Sequence, residues 1–247
     1  MRPVTLVLAG ATGGALLAVA IVLSLARHGL IPINDSQMQT YLMTHPELGP
    51  AMMGAAQAMD DQKQKAAQEA AMKKLGQAAF FDPNIAFVTG PADAKTSLVE
   101  FYDYDCPYCR ASLPAVKKFY DAHKNDTRFS FIEFPIKQLH GESAILAAKA
   151  SLAARRQPDH YMDFHFALLG KEDAIAEDDV YAEAAKAGMD VNKLKTDMAD
   201  PGIEKTLKAS IELAHKAGID GTPTFLFNGK FRPGMVDDET LKKEMAS

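Results

Sequence analysis

Cys106 and Cys109 are the only cysteines in the 247-residue chain, and just two residues separate them. A bridge between such close neighbours closes a tiny loop, where constraint of the unfolded chain stabilises least, so no disulfide framework staples this fold. The pair asks for a chemical explanation. Cys106-Pro107-Tyr108-Cys109 follows an apolar strand pattern, Ser97 to Tyr102, and opens a helical pattern from Pro107 to His123 with Tyr108, Leu113, Val116, Phe119 and Tyr120 on its apolar face. A helix N-terminus carries unpaired N–H groups and about half a positive charge, which stabilises a thiolate placed there. Cys106 has that place, Pro107 suits the first helical position, and Cys109 lies about one turn deeper. The arrangement predicts Cys106 as the accessible, attacking thiol and Cys109 as the resolving one. Zinc requires four ligands, and no second cysteine pair exists. The seven histidines are scattered without metal or catalytic-dyad spacing, and His140 and His165 read as surface or helix residues. No metal site and no cofactor are expected.

Around this pair the chain reads as α/β. Ile85 to Val88 predicts a short strand, Gly90 to Asp93 a turn, and Phe129 to Phe134 a further strand. Residues 141–217 are almost wholly helical in pattern, with turns near Gln157-Pro158, Gly170, Gly188 and Pro201-Gly202. Thr224 to Phe227, the Asn228-Gly229 turn and Lys230 to Pro233 form a hairpin, and a last helix runs from about Asp238 to Met245. The sum is a small sheet with helices on its faces and a helical insertion at about 141–217, within a domain at 81–247. Glu100 interrupts the apolar run of its strand. A carboxylate there is costly unless paired or protonated, or else it faces outward into water.

Val4 to Ala26 carries no charge for 23 residues. That length suits a membrane-spanning helix better than a signal peptide, although Ser24-Leu25-Ala26 is an acceptable cleavage site. Residues 1–27 are therefore expected to be an anchor or signal segment. Either role exports the remainder to a compartment where disulfide chemistry is possible. Residues 28–80 read as a linker and a helical arm. Leu48, Met52, Ala55, Met59, Gln62 and Ala66 begin a heptad seam that fades, and the seam is too thin to fold alone. It favours an oligomerisation arm over residues 36–79; a helix packed on its own domain and a flexible spacer are the other readings. Six methionines between Met38 and Met72 leave soft-metal capture as an alternative to apolar filling. A formal net charge of −5 supplies no field for a phosphate backbone, so nucleic acid is not an expected partner.

Three segments together carry a family resemblance: Val99-Glu100-Phe101-Tyr102-Asp103-Tyr104-Asp105 before the Cys-Pro-Tyr-Cys, Gly221-Thr222-Pro223 far downstream, and the helical insertion between them. Residues 36–247 resemble the thioredoxin-fold, DsbA-like thiol:disulfide oxidoreductases. The arm with Tyr41-Leu42-Met43-Thr44-His45-Pro46-Glu47-Leu48 is similar to the branch related to suppressor-of-copper-sensitivity protein C (ScsC). The resemblance implies a cis bond at Thr222-Pro223 beside the cysteines, with Thr222 offering backbone hydrogen bonds to an extended client and Pro107 and Tyr108 bordering it. It also implies a partly buried acid at Glu100, exchanging a proton near Cys109. Tyr108 stands where DsbA has histidine, so strong oxidising power is not carried over. The implied function is disulfide exchange with cysteine-containing clients, as isomerase or reductase, in the periplasm. A membrane redox partner would reset the pair, and the chain would be a homo-oligomer. The alternatives are a DsbA-like dithiol oxidase and, in another class, a periplasmic copper-binding or metal-tolerance protein.

Overall fold

A computed structural model describes Ala18, Ala20, Ile21, Ser24 and residues 35–246. Apart from those four isolated positions, the segment Val4–Ala26 expected to act as anchor or signal lies outside the described residues. Among the described residues no helix is long and apolar enough to cross a membrane. The chain divides between Asp61 and Gln62 into two units.

In the first unit, α1 (Asp35–Thr44) ends before Pro46, and α2 (Leu48–Leu75) begins. Met43, Met52, Met53 and Met59 are exposed, as are the seam positions Ala55, Gln62 and Ala66. From Gln62 onward, Ala66 included, α2 belongs to the second unit and buries a different face. Gln64 Nε2 donates to Asp220 Oδ1 at 2.7 Å, and Gln68, buried, donates to the Gly218 carbonyl at 3.4 Å. Met72 and Leu75 pack against the core. This docking face is half glutamine, which hides it from a reading of hydrophobic periodicity.

The second unit continues with a 3₁₀ turn (Gln77–Phe81), β1 (Phe87–Thr89), β2 (Thr96–Tyr102), α3 (Pro107–His123) and β3 (Thr127–Glu133). The helices α4 (Lys137–Ala154), α5 (Pro158–Leu169), α6 (Glu177–Lys186), α7 (Val191–Met198) and α8 (Pro201–Lys216) follow, then β4 (Thr224–Phe227), β5 (Lys230–Pro233) and α9 (Asp238–Met245). The strands form one sheet in the order β1-β3-β2-β4-β5, in which only β2 and β3 run parallel. Because β2 is central, six of its seven residues are buried. Leu98 and Tyr102 face one core with α3, α4 and α5, while Val99 and Phe101 face a second core with Phe80, Leu213 and Ala214. Strand alternation puts Glu100 on the Leu98 and Tyr102 side.

Three local differences from the sequence reading have physical causes. The first strand starts at Phe87 rather than Ile85, because the Ile85 and Ala86 amides both donate to the Asp82 carbonyl and hold a turn. The helical block starts at Lys137 rather than Gly141: a short helical turn precedes Gly141, whose φ of +78° kinks the chain there. His165, read as a surface or helix residue, is a helix residue and not a surface one. It lies fully buried on α5 with Nδ1 2.8 Å from the Tyr104 hydroxyl, and burial depresses its pKa to about 3, keeping the ring neutral. The sheet and the helical insertion are further joined by the buried Tyr102 hydroxyl, which donates to Glu133 and lies 3.2 Å from Ser151 Oγ and 3.1 Å from the Tyr161 hydroxyl. Turn geometry is equally demanding at Gly90 (φ +83°), where a Cβ would stand 2.0 Å from the Thr127 carbonyl oxygen.

Candidate active site

β2 delivers the chain into a turn built on Asp103. The Asp103 carbonyl accepts from the Cys106 amide at 3.1 Å, and its Oδ1 accepts from the Asp105 amide at 2.9 Å. Cys106 then caps α3 with extended backbone, and Pro107 takes the first helical position, where a missing N–H costs nothing. The Cys106 carbonyl receives the amides of Cys109 and Arg110, both at 3.1 Å. Both thiols are unbridged.

From the far end of the chain, the loop before β4 brings Thr222 and Pro223, joined by a cis bond, against the same place. The Cys106 thiol donates to the Thr222 carbonyl at 3.2 Å. The Pro223 carbonyl accepts from Gly234 at 2.9 Å, which fixes the loop to the hairpin. Sequence reasoning expects an accessible Cys106. The structure leaves the residue only 3% exposed, because Thr222 covers the sulfur, whereas Tyr108 beside it is 63% exposed.

The electrostatics separate the two sulfurs. The Cys109 thiol, donating to the Cys106 sulfur, is the largest influence pulling the Cys106 pKa down to about 6, against the cost of burial. The Thr222 side chain and the backbone amides of Cys109 and Tyr108 add to it. Burial drives the Cys109 thiol well above its ordinary value, and the neighbouring Cys106 and Glu100 push the same way. A backbone hydrogen bond from Asp103 works the other way on Cys109. Glu100 is buried, with Oε2 unpartnered, so it does not face outward into water. Its pKa is raised to about 8, first by burial and then by the charge of Cys106.

Residues that the sequence reading passed over hold this geometry. Arg110 donates from Nε to the Tyr104 carbonyl at 3.0 Å and from one terminal nitrogen to Asp105 Oδ1 at 2.9 Å and the Asp173 carbonyl at 2.8 Å. Its other terminal nitrogen reaches the Glu172 carbonyl at 2.5 Å. Asp105 Oδ1 also accepts from the Ile175 amide at 3.1 Å, tying the α5–α6 loop to the turn before Cys106. The signal in the sequence was the pair of aspartates flanking Tyr104. Among the described residues, no three His, Cys, Asp or Glu side chains converge as a metal site.

Comparison with known proteins places this geometry among relatives. The family described as Thioredoxin matches residues 84–245. A thioredoxin-like oxidoreductase from Silicibacter pomeroyi DSS-3 is 37% identical with a TM-score of 0.60, covering 68% of this chain and 93% of that one. The catalytic domain of Proteus mirabilis ScsC is 28% identical with a TM-score of 0.60, covering 72% of this chain and 98% of that one. Disulfide bond formation protein D of Bacillus subtilis is 32% identical over 177 residues, 64% of this chain and 76% of that protein. Na(+)/H(+) antiporters named NhaA, such as that of Salinispora tropica, also match at 28% over 67% of this chain, and the chain spans 25% of that antiporter's length.

Proposed function

Because this chain belongs to the thioredoxin family, we propose that it is a thiol:disulfide oxidoreductase of the DsbA and ScsC type, exchanging disulfides with client proteins as an isomerase or reductase. The observation that carries the reading is Cys106 at the N-cap of α3, beside Thr222-Pro223 and with the Cys109 thiol donating to its sulfur, its pKa lowered to about 6. With that acidity Cys106 is mostly thiolate at neutral pH, the state in which its sulfur no longer donates to Thr222.

In the proposed cycle the Cys106 thiolate attacks one sulfur of a client disulfide, and the other client sulfur leaves as a thiolate. The mixed disulfide has two exits. A second client thiolate attacks the client sulfur and expels Cys106, which completes isomerisation. Alternatively Cys109 attacks Cys106 and expels the client sulfur, which leaves the pair oxidised and the client reduced by two electrons. Glu100, with a pKa of about 8, populates both protonation states near neutral pH and is the group assigned to take up and return the Cys109 proton. The client strand would lie along the main chain of Thr222 and Pro223, bordered by Pro107 and the exposed Tyr108. Export and inner-membrane anchoring through Val4–Ala26, a membrane redox partner, and assembly through residues 36–79 belong to the same proposal. The exposed methionines of that arm are compatible with apolar burial between copies.

The test is reactivation of a scrambled-disulfide substrate by the full chain, beside Cys106→Ser and Cys109→Ser. Wild type should restore the native pairing, Cys106→Ser should be inactive, and Cys109→Ser should accumulate a mixed disulfide through Cys106. No reactivation by wild type, or a mixed disulfide formed through Cys109, rejects the proposal.

A further inference from the structure

At the end of the sheet remote from the cysteines, between the 3₁₀ turn and the first residues of β2 and β3, lies a cavity of about 320 Å³ that disulfide exchange does not use. Three neighbouring strands build one wall of it. Ser97 of β2 stands in register with Arg128 of β3, and the Asn228 amide, in the turn after β4, donates to the Ser97 carbonyl at 3.0 Å. The Ser97 amide donates in return to Asn228 Oδ1 at 2.9 Å, and Gln77 Nε2 donates to Ser97 Oγ at 2.9 Å. These bonds decide which atoms stay available. With its oxygen engaged, Asn228 keeps the N–H donors of its side-chain amide, and Ser97 Oγ, already accepting, keeps its O–H. Two cations join these donors. The Arg128 guanidinium lies on the Phe81 ring, 4.6 Å from its centroid, and its Nε has no hydrogen-bond partner. Lys95 stands exposed on the rim, one residue before β2. Neither cation is within ion-pair distance of a carboxylate among the described residues, and no Asp or Glu lines the cavity. In a chain of net charge −5, a cavity with two positive charges and no negative one inverts the average.

We propose that this cavity binds a small phosphate monoester. A phosphoryl group carries roughly 1.5 to 2 negative charges near neutral pH and presents three acceptor oxygens. Lys95, Arg128 and the spare donors of Ser97 and Asn228, which come from separate strands and loops, match that charge and that spread of acceptors. A carboxylate is planar and singly charged, so it would leave one cation and part of the donor set unanswered. Stacking on Phe81 restricts the Arg128 side chain before any ligand arrives, so less of its freedom is lost on binding. The volume lies at the low end of the roughly 300–1,000 Å³ of small-molecule sites, which calls for a compact ligand, and Ala78 and Ala92 offer its organic part an apolar wall. Ser97 and Cys106 lie towards opposite ends of β2, so the site is independent of the exchange reading.

The experiment titrates the full chain by calorimetry, in a phosphate-free buffer of low ionic strength, with phenyl phosphate and separately with benzoate, which carries the same ring on a carboxylate. Phenyl phosphate should saturate one site per chain and bind about tenfold or more tighter than benzoate. Arg128→Gln removes a charged donor and should weaken phenyl phosphate about tenfold or more, and Lys95→Gln, which removes an exposed point charge at the rim, about threefold. Lys95 packs against no core, so its variant decides the matter if Arg128→Gln fails to fold. No saturable binding of phenyl phosphate, benzoate bound as tightly, or an unchanged affinity in either folded variant would overturn the proposal.

Discussion

Replacing Glu100 with glutamine should make the protein more stable and a slower enzyme at the same pH. The buried Glu100 pKa is about 8 against an ordinary 4.5. Between those values the folded chain holds a proton that the unfolded chain releases, so stability falls as pH rises through the window. The contribution of the protonated acid is complete below about pH 4.5, and the loss levels off above about pH 8. At about pH 7 the window has been crossed for roughly 2.5 units, which at 1.36 kcal/mol each costs roughly 3 kcal/mol. Glutamine keeps the shape and never ionises. Urea unfolding of the reduced proteins should give nearly equal stabilities near pH 4.5 and a gap of roughly 3 kcal/mol in favour of Glu100→Gln near pH 7. Reduction of a client disulfide should slow about 100-fold in the same variant, because glutamine cannot accept the Cys109 proton. A stability gap that does not change with pH would refute the buried-acid argument, and unchanged client reduction would refute its role in proton transfer.

Cys109 acidifies Cys106 through its thiol hydrogen bond, so Cys109→Ala should move the alkylation midpoint of Cys106 upward from near pH 6. Cys109→Ser, which keeps a donor, should move it less; identical midpoints for the two variants would contradict the cause assigned here. A chain beginning at Gln62 should keep the stability of the catalytic unit, while one beginning at Phe80 should lose about 2 kcal/mol in urea unfolding with the packing of Met72 and Leu75 and the bonds of Gln64 and Gln68. If residues 36–79 assemble copies, the chain beginning at Phe80 should contain fewer copies per particle in solution than the full chain, and an unchanged number of copies would reject the arm.

The sequence by itself determined the elements whose signals are local. Cys106-Pro107-Tyr108-Cys109 specifies a helix start through proline at its first position, Asn228-Gly229 specifies the hairpin turn, and the apolar run from Leu98 to Tyr102 specifies a strand covered on both faces. It also marked Glu100 as a costly carboxylate, although one strand cannot say whether such a group points into water or into a core. The register of β2 between β3 and β4, with α3 packed over the Leu98 and Tyr102 face, decided that question. Tertiary structure likewise brought Thr222 across 116 positions to cover Cys106, and turned His165 and Gln68 inward on partners that no periodicity announces. Asp103 and Arg110 escaped the sequence reading for the same reason. A polar side chain reads as solvent-facing until a distant backbone or carboxylate satisfies it, and only the folded chain brings that partner within about 3 Å.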